Sequence, residues 1–292
     1  MPVPPGKLSA VMSAAADLTL ALTTILILAV FSALTLALPE PAGCLEELGL
    51  EEILDRVHLA NEAAQDSLAD YVCQSTFIMR EPQKDGTAKT ALVQDKTVYF
   101  RSPDEEREIF RSVTKKDKVL SPKELADYQE KADEEARKQS RNEDASEDDS
   151  SEKNEGTLAF SASAPWDPEE RIHYTFELLE PDTIRGMPAY AVRVIPLEEE
   201  ENLVDGTAWF HRDRFEVLRL EFRPAKNPRF VKKAHVILDF GEVQPGYWLP
   251  VEMKMDVSGG FLFIKKSFHM HQTWREYQIN TGLPDSLFLG AV

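Results

Sequence analysis

Leu218-Arg219-Leu220-Glu221-Phe222 and Leu249-Pro250-Val251-Glu252-Met253-Lys254-Met255-Asp256-Val257 set bulky apolar side chains on alternate residues, with mostly charged ones between. Successive side chains of a strand point to opposite faces, so each segment predicts a strand with one apolar and one charged face. From Asp205 to Tyr277 the chain reads as five long antiparallel strands of this kind. Glu216, Arg219, Glu221, Glu252, Lys254 and Asp256 fall on the face that water can solvate. The opposite face needs a cover.

Outward from these strands the pattern continues. Strands are predicted at 171–179, 187–196, 206–212, 216–223, 232–240, 248–257 and 261–278, joined by short connections rich in Gly, Pro, Asp and Asn, which makes a meander. Before them, Leu50, Ile53, Leu54, Val57, Ala60, Ala64 and Leu68 recur at helical spacing, predicting one amphipathic helix of about five turns. Tyr71–Arg80 and Ala91–Arg101 then pair as a hairpin across Lys84-Asp85-Gly86-Thr87. Ser121-Pro122-Lys123-Glu124 carries a capping box with Pro at the first helical position, so a second helix runs to about Gln139. Its apolar stripe is thin (Leu125, Tyr128, Ala132, Ala136), which predicts loose packing or projection from the surface. The run from Ser140 to Gly156 cannot form a core and is expected to be disordered.

The chain of 292 residues is 42% apolar, with a net charge of −18 and a pI near 4.8. Such a length can bury a sizeable core, and such a charge argues against nucleic acid as a partner. Part of the charge is local: residues 121–156 hold 13 acidic and 6 basic side chains, a net of −7. Leu18–Leu38 is charge-free and long enough to span a bilayer as a helix. Two readings stay open for it. One is a secretory signal, in which Ala42-Gly43-Cys44 resembles a lipoprotein processing site and Cys44 takes the lipid. The other is an uncleaved membrane anchor. Cys73 alternates in phase with Tyr71, Phe77 and Met79 and reads as a small buried hydrophobe, a Cys44–Cys73 disulfide being the alternative.

No phosphate loop, nucleophile elbow, His-Glu-x-x-His helix or paired Cys-x-x-Cys occurs in the sequence, so no catalytic residue and no cofactor is assigned. His269 and His271 share a strand face with Lys265 and Ser267, which reads as a solvent side with no metal. Apolar and aromatic side chains remain as the binding candidates. Nine or so strands with one main helix leave a curled apolar surface for side chains, loops or a ligand to fill. The candidate cavity residues are Trp209, Leu218, Leu220, Phe222, Leu249, Val251, Met253, Met255 and Phe263.

The order of parts, with Gly186-Met-Pro-Ala-Tyr-Ala-Val-Arg-Val-Ile-Pro196, Ala208-Trp-Phe-His-Arg-Asp213 and Leu218-Arg-Leu-Glu-Phe222, resembles the periplasmic lipoprotein-carrier superfamily of LolA/LolB-like proteins and RseB-type sensors. The resemblance covers most of Leu45–Ile279. It implies a mainly β, α+β fold: a curved, unclosed antiparallel half-barrel with an N-terminal helix packed on it. It also implies a cavity for acyl chains and an arginine that contacts the lid helices. Arg101 stands near that position, with Ser102 between it and Pro103.

The expected organisation is a signal peptide or anchor at 1–43, helix and first strands at 44–113, and a charged insertion at 114–157. The remaining strands follow at 158–280 and a tail at 281–292. The expected function is a noncatalytic carrier of lipid or acylated polypeptide in the periplasm or cell envelope, tied to the membrane through residues 18–38 or Cys44. The alternative is an envelope sensor or interaction module of the same fold, with a protein partner and no bound lipid.

Overall fold

In the computed structural model the described residues are 48–83, 85–145, 164–229, 231–261 and 264–288. The Leu18–Leu38 run, Cys44, Phe263 and the acidic run beyond Ala145 lie outside them. No helix among the described residues is long and apolar enough to cross a membrane.

Twelve strands form one antiparallel sheet: β1 (Asp70–Pro82), β2 (Ala88–Arg101), β3 (Glu105–Lys115), β4 (Lys118–Val119), β5 (Tyr174–Leu178), β6 (Asp182–Ile184), β7 (Met187–Pro196), β8 (Val204–His211), β9 (Val217–Pro224), β10 (Val231–Gln244), β11 (Tyr247–Phe261) and β12 (Ile264–Ile279). Their spatial order is β4-β3-β2-β1-β12-β11-β10-β9-β8-β7-β5, with β6 also on β7. The first strand lies beside the last, Tyr71 opposite Ile279 and Met79 opposite Met270. Two meanders thus spread from a central β1–β12 pair, and the outermost strands do not meet. The sheet is curved and unclosed, the half-barrel that the resemblance implied. The five strands expected between Asp205 and Tyr277 are β8 to β12.

Helix α1 (Leu50–Ser67) buries Ile53, Leu54 and Val57 from its expected stripe. Each of these side chains stabilises the contact by about 1.5–3 kcal/mol. Glu51 and Glu52 occupy its first turn, where acidic groups offset the helix dipole. Ion pairs anchor the polar side, with Asp55 accepting from Arg171 at 2.6 Å and His58 Nδ1 3.2 Å from Asp167. The second helix, α2 (Pro122–Ala145), begins with the expected capping box: Ser121 N donates to Glu124 at 2.8 Å, and Glu124 N donates to the Ser121 hydroxyl at 3.4 Å. Lys118 together with these donors holds the Glu124 carboxyl down at about 2.

Contrary to the expectation of loose packing, α2 engages the sheet. Tyr128 meets the ring of Phe110 edge-on at 5.1 Å and accepts a hydrogen bond from Gln94. The Gln129 amide accepts from Phe110 N at 2.9 Å and donates to Glu108 O at 2.8 Å. A side-chain amide therefore pairs with two backbone groups along β3 as a neighbouring strand would, which blunts that edge of the sheet.

Two clusters flank the middle of the sheet. Cys73, Val98 and Tyr277 are buried together, with Tyr71, Leu249 and Trp274 against them. Cys73 forms no disulfide among the described residues, and burial pushes its thiol up to about 12, as expected of a packing residue. The second cluster joins Ile184, Ala189 and Leu218, with Trp209 and Trp248 against it.

The chain end is tied to the start of the sheet. The buried Asp70 carboxylate accepts from Thr281 N and Oγ1, Gly282 N and Leu283 N. Burial alone would raise its pKa, but these donors together outweigh it and hold the carboxyl below its ordinary value. Arg101 binds Glu105 and Asp285 and lies 4.5 Å from the centre of the Phe288 ring. Arg101 thus contacts the C-terminal 3-10 turn (Asp285–Leu287) and its following Phe288, with no helix among these partners.

Candidate ligand-binding cavity

Alternation along β8 to β11 brings one row of apolar side chains to the helix-covered face. Val236, Leu238 and Phe240 come from β10, and Leu220 and Phe222 from β9. Register locks them together: Val236 pairs with Phe222 and Met255, and Leu238 with Leu220 and Met253. Ala208 of β8 and Val194 of β7 extend the row toward the β5 edge. Small residues here leave room. Gly206 is obligatory for a different reason, since a Cβ on it would lie 2.2 Å from Glu221 O and 2.6 Å from Phe222 Cβ.

Above this row sit Asn61 and Gln65 of α1 and the segment Ala164-Pro165-Trp166. Trp166 is 4% exposed and stands edge-on against Phe210 at 5.0 Å. Between roof and floor is a cavity of about 370 Å³, within the range of small-ligand sites, which runs from about 300 to 1,000 Å³. Its polar lining includes Asn61, Gln65, Glu170, Tyr174, Asn202 and Thr207. Burial raises the pKa of the Tyr174 phenol, despite the hydrogen bond its oxygen accepts from Val204 N.

Of the expected cavity residues, Leu220, Phe222 and Met253 line this space. Met255 lies next to it in register, opposite Val236 and Met270. Leu218 does not share their face. Trp209 pairs with Arg219 but Phe210 with Val217, so Leu218 is the extra residue of a bulge. The bulge turns Val217 into the cavity and Leu218 into the opposite cluster with Trp209, whose Nε1 donates to Asp182 at 2.9 Å. A second bulge skips Val251, between the pairs Asp239–Glu252 and Phe240–Pro250. Val251 packs beside Gly241, and Leu249 joins the Cys73 cluster.

Val236, Leu238 and Phe240 also line the cavity, on an alternation as legible as that of β9, and so does Trp166, which no local pattern marks.

The opposite face carries the expected charges as cross-strand pairs. Arg219 forks onto Asp239 at 2.8 and 3.1 Å, His235 meets Glu221 at 3.0 Å and His271 meets Glu252 at 2.7 Å. His269 bonds Asp256. Both histidines of the 269–271 pair thus have carboxylate neighbours. Among the described residues no group of three or more His, Cys, Asp or Glu is placed to hold a metal ion.

An unclosed antiparallel half-barrel with a helix over an apolar cavity on its inner face defines the class of this protein. A sequence profile described as a family of unknown function, DUF5686, matches residues 153–277. No curated protein matches the chain. Among solved structures, the chain is similar to a LolA superfamily protein from Nitrosomonas europaea, at 9% identity and TM-score 0.39 over 80% of this chain and 96% of that one. It is also similar to a DUF1329 family protein from Desulfovibrio piger, at 13% identity and TM-score 0.37 over 81% and 95%. A third similar structure is lipoprotein LppX from Mycobacterium tuberculosis, at 10% identity and TM-score 0.27 over 81% and 99%. At such identities the likeness is one of chain arrangement, and function has to be read from the cavity.

Proposed function

We propose that the protein is a noncatalytic binder of acyl chains in the bacterial cell envelope. The observation that carries this reading is the apolar cavity between α1, Trp166 and strands β7 to β11. Its floor is hydrocarbon from Leu220, Phe222, Val236, Leu238 and Met253, which suits a chain of methylenes, each stabilising the complex by about 0.8 kcal/mol when buried. The lining offers one carboxylate, one phenol and a few amides, a surface for holding a ligand. The charge-free run Leu18–Leu38 supports export or anchoring, and so an envelope location.

A fluorescent acyl probe titrated into wild-type protein and Leu220→Glu tests the reading. The wild type should bind saturably. The variant places an unpaired charge in the floor and should lose the probe while keeping its circular dichroism spectrum. Equal binding by both proteins would place the probe elsewhere, and no binding by wild type would contradict the proposal.

A further inference from the structure

The charge of the cavity lining discriminates between kinds of acyl ligand. No Lys, Arg or His is among the described lining residues, and the one charged side chain is Glu170. Two basic side chains next in sequence or on the same helix as lining residues, Arg171 after Glu170 and His58 before Asn61, are committed elsewhere. Arg171 donates through Nε to Trp166 O and through Nη1 to Asp55, both at 2.6 Å, and is not part of the lining. His58 faces Asp167 at 3.2 Å and Glu62 at 3.6 Å. Asp55 and Asp167 are taken up by these contacts, and Glu170 stays the one charged side chain among the described lining residues.

A carboxylate or phosphate entering with an acyl chain would leave water to meet Glu170 without a countercharge, the costly case for an ion in an apolar site. An uncharged ester has no such cost, and the lining is furnished for it. The amides of Asn61, Gln65 and Asn202 can donate to ester oxygens and accept from hydroxyls. Trp166, in the wall, keeps an Nε1–H that is buried without an acceptor among the described residues, and an ester carbonyl would supply one.

We propose that the cavity selects uncharged acyl esters, the glyceryl ester chemistry shared by acylglycerols and acylated polypeptides, over free fatty acids and anionic phospholipids. This rests on the acyl-binding reading above.

The test is displacement of the fluorescent acyl probe at pH 8, where a free fatty acid is ionised, below the aggregation concentration of each competitor. The competitors are a monoacylglycerol, the fatty acid of the same chain length, and a short peptide bearing a diacylglyceryl-cysteine. The monoacylglycerol should bind at least about tenfold more tightly than the fatty acid, and Glu170→Lys should close most of that gap by improving the acid alone. Whichever of monoacylglycerol and lipopeptide binds more tightly identifies the source of the ester, and either order supports the inference.

A wild type that takes the fatty acid as well as the monoacylglycerol overturns it, as does a preference that Glu170→Lys leaves unchanged. Failure of the probe itself to bind is a separate result, which removes the acyl-binding reading together with this one.

Discussion

Leu218 and Leu220 stand two residues apart on β9, and simple alternation gives them the same role. The bulge gives them opposite ones. Leu218 is fully buried in the cluster with Ile184 and Ala189, away from the cavity, whereas Leu220 is partly buried and lines the cavity floor. Replacing each with Ala therefore separates stability from binding. For Leu218→Ala the lost transfer energy and the residual void together cost about 2–5 kcal/mol. In a unit of this size that lowers the melting temperature by roughly 5–15 °C, at about 2–4 °C per kcal/mol. Probe affinity should stay within about twofold of wild type, because no ligand contact is removed.

Leu220→Ala removes the equivalent of two to three methylenes from the ligand's side of the wall. At about 0.8 kcal/mol each this is about 2 kcal/mol, or roughly thirtyfold in Kd. Its melting temperature should move by less than half as much as that of Leu218→Ala. Circular dichroism melts and probe titrations on the two variants measure both quantities. If Leu218→Ala weakens the probe as much as Leu220→Ala does, or if Leu220→Ala melts just as early, the assignment of faces is refuted.

Two further outcomes follow from close contacts. Gly206→Ala puts a methyl 2.2 Å from Glu221 O, so β8 and β9 must part, and the variant should lose about 3 kcal/mol in denaturant unfolding; an unchanged midpoint would contradict the strand spacing. Asp70 has a folded pKa held below the ordinary 3.8, so its contribution is complete above the unfolded value near pH 4 and is lost as pH falls through the folded one. Asp70→Asn should melt well below wild type at pH 7, and the difference should shrink as pH falls below 4; a gap that already begins to close above pH 5, or that widens on acidification, would show that the strap of Thr281–Leu283 does not depend on the charge.

The fold was largely legible because its signals are local. Strict alternation marked β8 to β12, the stripe Ile53-Leu54-Val57 marked α1, and Ser121 with Glu124 marked the start of α2. What was illegible depends on partners distant in sequence. A bulge adds one residue without disturbing the apolar pattern, so Leu218 and Val251 looked like their neighbours until the pairing of β8 with β9 and of β10 with β11 fixed them. β3 carries Glu105, Glu106, Arg107, Glu108 and Arg111, too polar to stand out as a strand, and is held by β2 on one side and by β4 and Gln129 of α2 on the other. β6 is three residues long and reads as the turn expected there. Trp166 becomes part of the cavity only through its contact with Phe210, which lies 44 positions further on.

Native mass spectrometry of the protein purified from a bacterial envelope without detergent, followed by organic extraction, tests the central claim most directly. The account predicts that an acyl-bearing molecule copurifies with the wild type and is depleted in Leu220→Glu. A wild type that carries no acyl species and takes none up from added lipid would contradict it.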